Sequence, residues 1–242
     1  VVALLCSLYP VRPAEAQGSE ARPRAVIELF TSQGCSSCPP ADRLMAEWAQ
    51  RPDLIILSMP VDYWDYLGWK DTLADPAFSR RQKGYAAARG DRQVYTPQAV
   101  INGQSHAVGS DRRALEAMLA SDSTPELAVS IIVEPAAEGA LVKVGAAPGA
   151  RSLSAGLWLV PVFSHRTVQV GRGENSGRTI TYANVARAPQ RLADWSGTPL
   201  TLPLRPAAMP EGADHFVVLL QGSSDKKPGV ILGAAKGTFA SR

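Results

Sequence analysis

Two cysteines separated by two serines stand in the segment Thr31-Ser32-Gln33-Gly34-Cys35-Ser36-Ser37-Cys38-Pro39-Pro40. Residues 25–30 before them form a β-type run, and residues 39–50 after them carry Leu44, Met45 and Trp48 at helical spacing. The pair therefore sits where a strand hands over to a helix. Unpaired N–H groups and the positive end of the macrodipole favour a thiolate there, lowering a cysteine pKa from about 8.5 into the ~3.5–7.5 range. Cys35 is the expected nucleophile. Cys38, one turn further in, can attack a mixed disulfide on Cys35, release the reduced product and close the ring, so it is the expected resolving cysteine. A static disulfide or half of a metal site would use the same residues. Zinc needs two further ligands, and the three histidines, His106, His165 and His215, are isolated along the chain.

The elements that must position this pair follow from patterning. Residues 54–61 form a nearly continuous apolar run of the kind a covered parallel strand shows. A connection over 62–75 then crowds Tyr63, Trp64, Tyr66 and Trp69 at the carboxyl end of that strand, where ligands sit in α/β folds. These aromatics either grip a peptide or fold the loop onto its own hydrophobic cluster, with Asp62 and Asp65 as caps. A helix is predicted over 76–89, with Pro76 at its start and Gly90 just past its end. Strands at 98–101 and 105–108 flank Asn102-Gly103, a type I′ hairpin signal because both central residues need positive φ. Ser110 or Asp111 caps a last helix to about residue 120. The order is β-α-β-α-β-β-α, parallel in its first half and antiparallel in its second.

Past residue 124 the texture changes to short β-type runs split by Gly and Pro, at 127–133, 141–144, 157–163, 167–170, 179–184 and 216–220. The predicted organisation is an α/β domain over 25–124, thioredoxin-like in its arrangement, followed by an all-β, sandwich-like domain over 125–242. The glycine-rich stretch 171–178 misses both phosphate-binding fingerprints and precedes a strand-like run, so it reads as a tight hairpin. No nucleophile elbow or zinc-protease helix occurs, and no cofactor is expected.

Phe30-Thr31, the Cys35-x-x-Cys38 pair and Thr96-Pro97 together resemble the thioredoxin and glutaredoxin superfamily. The resemblance implies that Pro97 is cis and packs against the cysteines, with the Thr96 backbone offering hydrogen bonds to an extended substrate strand. Tyr95, Gly34, Ser36 and Ser37 then join the aromatic loop as the candidate substrate-binding surface. Ser36-Ser37 replaces the dipeptides typical of thioredoxins and of their oxidising or isomerising relatives, and those positions help set the reduction potential. Glu28 is a candidate for the buried acid that assists proton transfer, although its spacing to Cys35 is one residue longer than in thioredoxins; a plain strand carboxylate is the alternative. More closely, residues 28–42, 61–69, 95–98 and 173–179 resemble a bacterial family, domain of unknown function 1223, and the match spans both halves of the chain.

Apolar residues make up 45% and charged residues 19% of the 242, which is the composition of a globular protein rather than a disordered one. No run approaches the ~20 apolar residues of a bilayer-crossing helix. The net charge of +3 is spread among acids, and Arg80, Arg81 and Lys83 read as a solvated helix face, so nucleic acid is not an expected partner. Residues 1–8 are apolar and Ala14-Glu15-Ala16 follows, the pattern of a secretory leader, here N-terminally incomplete, over 1–16 with a linker over 17–24. A lipoprotein leader would place a small residue just before Cys6, where Leu5 stands. Loss of the leader leaves Cys35 and Cys38 alone in a periplasmic or secreted, oxidising setting, where such a pair is redox-active. The expected function is exchange with exported protein or small-molecule thiols and disulfides, served by a redox recycling partner. A non-enzymatic binding or copper-handling module, or a hydroperoxide-reducing enzyme working through a Cys35 sulfenate, would use the same residues.

Overall fold

The computed structural model describes residues 22–124, 126–149, 154–224 and 227–239, and the expected leader with Cys6 lies outside them. The first half contains strands β1 (Ala25–Thr31), β2 (Leu54–Pro60), β3 (Gln98–Ile101) and β4 (Ser105–Val108) with helices α1 (Pro39–Trp48), α2 (Pro76–Arg89) and α3 (Arg112–Ala120). These fall within two residues of the spans that patterning predicts. Prolines open α1 and α2, Asp75 caps α2 by accepting from Ala77 N at 2.8 Å, and Gly90 closes it in the left-handed conformation. Asn102 and Gly103 both have positive φ, as the hairpin turn requires.

β1 pairs parallel with β2 and antiparallel with β3, which pairs antiparallel with β4. Side chains alternate across β1: Ile27 and Leu29 pack with Leu44, Met45 and Trp48 of α1, while Val26 and Phe30 pack with Phe78 and Tyr85 of α2. One helix thus covers each face of the strand that leads into the cysteines.

Beyond residue 124 the chain forms β5 (Ile131–Ala136), β6 (Gly139–Val144), β7 (Ala155–Gln169), β8 (Thr179–Ala186), β9 (Gln190–Trp195), β10 (Leu200–Leu204), β11 (His215–Ser224) and β12 (Lys227–Gly237). The order β12-β11-β7-β8-β2-β1-β3-β4 makes one large sheet, with β9 also on β7, and β10-β6-β5 forms a second. The protein is a mixed α/β molecule with a large sheet and few helices. The strands beyond 124 continue the sheet of the first half. β8 lies parallel to β2, with Ser58 Oγ donating to Ala183 O at 2.7 Å, and one core cluster mixes Phe30 and Leu57 with Val160, Val217 and Ile231. β7 is one long strand where patterning predicts two, because its two halves have different neighbours: β9 and β11 flank its beginning and β8 its end. β9, β10 and β12 escape the pattern because β9 is rich in exposed polar residues, β10 is five residues long and holds Pro203, and β12 is rich in Gly and Ala.

Candidate functional site

Cys35 and Cys38 are joined in a disulfide with Cα atoms 5.4 Å apart. Cys38 is the N-cap of α1 and accepts from Ala41 N and Asp42 N at 2.9 and 3.1 Å, while Cys38 N donates to Cys35 O at 3.1 Å. The sulfurs therefore stand at the strand-to-helix handover that the sequence predicts. Ser36 and Ser37 are exposed, but Cys35 is only 2% and Cys38 0% exposed.

The cover over Cys35 is a loop from the other half of the chain. Residues 171–178 join β7 to β8, and in that loop Asn175 Nδ2 donates to Gln33 O at 3.0 Å and to Cys35 O at 2.8 Å. Next to it, Ser36 N donates to Glu174 Oε2 at 3.0 Å, and hydrogen bonding from the Ser36 side chain and then its backbone holds the Glu174 carboxyl below its ordinary pKa. The hairpin that sequence reading sets aside is thus part of the site. Its only sequence signal is the 173–179 stretch that carries the family resemblance.

The aromatic connection closes a second side. Trp64 donates from Nε1 to Thr96 Oγ1 at 2.8 Å, and its Cβ would lie 3.0 Å from a Cβ built on Gly34, so a larger residue at 34 would crowd it. Trp64 therefore links the cysteine loop to the Thr96–Pro97 peptide, which is cis. Trp69 donates to Gln33 Oε1 at 2.8 Å and lies against Gly171, while Tyr63 donates to Gln82 Oε1 at 3.1 Å. Burial pushes the Tyr63 hydroxyl up to about 12. Tyr66 alone of the four aromatics points outward, at 78% exposure. Tyr95 shares a hydrogen bond with His106 Nδ1 at 2.9 Å. Gln33 N donates to Asp71 Oδ2 at 2.7 Å, so Gln33 and Asp71 are further site-building residues that motif reading passes over. Burial raises the Asp71 carboxyl.

Glu28 lies on the α2 face of the sheet. Even-numbered residues of β1 face α2, so its carboxylate lies across the sheet from α1 and the cysteines. Both its oxygens are engaged: Oε1 accepts from Arg81 Nε at 2.6 Å, and Oε2 accepts from the Tyr85 hydroxyl. The acid on the cysteine side is Asp42. It is fully buried, accepts from Thr31 Oγ1 at 2.8 Å through Oδ1, and is pushed up to about 7 mainly by burial, with Asp71 nearby adding to the rise.

Away from the cysteines, Ser164, Asp214 and His215 cluster without forming a catalytic triad. Ser164 and Asp214 both face Nδ1 of His215, at 3.2 and 2.6 Å, whereas a hydrolase triad needs them on opposite ring nitrogens. Among the described residues no three His, Cys, Asp or Glu side chains gather as a metal site, and no helix is long and apolar enough to cross a membrane.

The fold and site define a mixed α/β protein carrying a Cys-x-x-Cys disulfide at a helix N-terminus beneath a loop from its own second half. The chain belongs to the family described as protein of unknown function DUF1223, whose model matches residues 26–221. It is 32% identical to a protein from Agrobacterium tumefaciens whose X-ray crystal structure superimposes with a TM-score of 0.81, covering 93% of this chain and 98% of that one. HBP35 of Porphyromonas gingivalis, 10% identical, gives a TM-score of 0.58 over 93% of this chain and 80% of its own, a likeness of fold alone. Comparison with curated proteins found no match.

Proposed function

We propose that this protein is an exported thiol:disulfide oxidoreductase of thioredoxin-like fold, in which Cys35 is the nucleophile and Cys38 the resolving cysteine. The observation that carries this function is the closed Cys35–Cys38 pair at the N-terminus of α1, tied through Gly34 and Trp64 to a cis Thr96–Pro97 peptide. The strand order β2-β1-β3-β4 with crossing helices supports the thioredoxin-like assignment.

In the reduced protein the Cys35 thiolate, stabilised by the helix terminus, attacks a substrate disulfide, forms a mixed disulfide and expels one substrate thiolate, which is then protonated. Cys38 then attacks Cys35 Sγ, the mixed disulfide breaks, and the second substrate thiol leaves. Two electrons pass from the two protein thiols to the substrate disulfide. Run backwards, the same steps oxidise a substrate dithiol. In either direction the loop over 171–178 must lift off Cys35, and the substrate replaces its contacts. The partners are protein or small-molecule thiols and disulfides of an exported compartment and a separate couple that recycles the cysteines.

The test is the reduction potential of the Cys35–Cys38 couple together with insulin reduction and oxidation of a reduced unfolded substrate. Wild-type protein is expected to catalyse exchange in one of these directions and Cys35→Ser in neither. Absence of catalysed exchange by the wild type in both assays refutes the function. The burial of Cys35 favours one second reading, a static staple between β1 and α1. In that case reduction lowers the unfolding midpoint and no exchange is catalysed.

A further inference from the structure

Patterning reads Arg80, Arg81 and Lys83 as one solvated helix face, but only Arg80 and Lys83 are exposed. The Arg81 side chain is 10% exposed and turns in to β1, on the face of the sheet opposite α1. There Nε donates to Glu28 Oε1 at 2.6 Å and Nη2 to the Tyr85 hydroxyl at 2.7 Å. That hydroxyl in turn donates to Glu28 Oε2 and accepts from Gln221 Nε2 at 2.8 Å. The network fixes the guanidinium and leaves Nη1 without a hydrogen-bond partner among the described residues, an open donor on a permanent cation. Arg81 lies in the wall of a cleft of about 640 Å³ that is also lined by Arg80 of α2, Trp158 of β7, Arg191 of β9, Gln221 of β11 and Lys227 of β12. No acidic side chain lines it among the described residues. Arg81 and Arg191 have carboxylate partners outside the lining, Glu28 and Asp194, whereas Arg80 and Lys227 have no ion pair among the described residues. The wall therefore carries two uncompensated positive charges.

Trp158 adds an apolar wall. It is half-buried, and the Arg191 guanidinium lies over its ring, 5.3 Å from the centroid. A Cβ built on Gly156 would lie 2.7 Å from Trp158 Nε1 and 3.1 Å from Arg191 Nη1, so the absence of a side chain at 156 leaves room for this pair. Trp158 Nε1 is a second donor with no hydrogen-bond partner among the described residues, and Pro189 and Pro228 extend the apolar lining. We propose that this cleft binds a small organic dianion of the phosphate monoester class, its charged head on Arg80, Arg81 Nη1 and Lys227 and its apolar body against Trp158 and the two prolines. Two uncompensated cations match two negative charges, and a ligand oxygen makes the hydrogen bond that Nη1 lacks. The volume is that of a small-molecule site, about 300–1,000 Å³. The site belongs to the α2 face of the sheet and does not rest on the redox function proposed above.

Isothermal titration of the full-length protein at pH 8 with phenyl phosphate, inorganic phosphate and benzoate tests this. A phosphate group has lost its second proton there, its pKa being about 6, so the first two probes carry two charges and benzoate one. The expected result is one bound phenyl phosphate per chain, held about tenfold more tightly than inorganic phosphate, which lacks the apolar body, or benzoate, which lacks the second charge. Arg80→Ala and Lys227→Ala, at positions that are not buried, should each weaken binding about tenfold. Lys83→Ala removes the same charge from α2 outside the cleft lining and should leave the affinity unchanged, as should Cys35→Ser. Absence of saturable phenyl phosphate binding, unchanged affinity in Arg80→Ala and Lys227→Ala, or an equal loss in Lys83→Ala overturns the assignment, and so does benzoate binding as tightly as phenyl phosphate. Each of these results leaves the redox function standing.

Discussion

Asp42→Asn should stabilise the protein above neutral pH and fail to do so in acid. Burial pushes the Asp42 carboxyl from 3.8 up to about 7, so between these values the folded chain keeps a proton that the unfolded chain has lost. Stability therefore declines as pH rises through that window and levels off above it. The interval corresponds to about 4 kcal/mol at roughly 1.36 kcal/mol per pH unit. Asparagine keeps the shape and the Thr31 hydrogen bond and removes the charge. Its amide replaces Oδ2 with a donor that lacks an acceptor, which returns about 1–3 kcal/mol. The net gain at pH 8 is about 1–3 kcal/mol, with no gain at pH 4. Urea unfolding of both proteins at pH 4, 6 and 8 measures it as a widening difference in midpoint. A difference that is the same at all three pH values, or a variant less stable at pH 8, refutes the argument that burial of this carboxyl holds its proton.

Two further outcomes test the cover and the ion pair. Asn175→Ala removes the hydrogen bonds to Gln33 O and Cys35 O, and is expected to speed reduction of the disulfide by dithiothreitol at least tenfold while lowering overall stability by about 1–3 kcal/mol; an unchanged rate would mean the loop does not limit access. Arg81→Met leaves the buried Glu28 carboxylate without its cation and should destabilise the fold by about 3–5 kcal/mol in denaturant unfolding, much of which Glu28→Gln in the same chain should restore; equal loss in single and double variants would show that the charge pairing is not the cause.

Local chemistry wrote much of the first half into the sequence. The prolines of α1 and α2, the Asp75 cap, Gly90 and the Asn102-Gly103 turn each act within a few residues, and the strand-to-helix handover at Cys35 follows from them. Which buried carboxyl lies on the α1 side of the sheet did not follow, because a one-residue change in spacing along β1 carries a side chain to the opposite face of the sheet. Glu28 therefore meets Arg81 and Tyr85, while Thr31, on the other parity, meets Asp42.

The sequence by itself determined the place of the cysteine pair, the elements that hold it and the Asn102-Gly103 hairpin, since each depends on neighbours in the chain. Only the tertiary structure decided that β8 docks on β2 and that Glu174 and Asn175, some 138 and 140 residues beyond their partners, close over Ser36 and Cys35. Contacts of that span depend on which sheet edge is free and which face is apolar once the first half has folded, and no local pattern encodes that pairing.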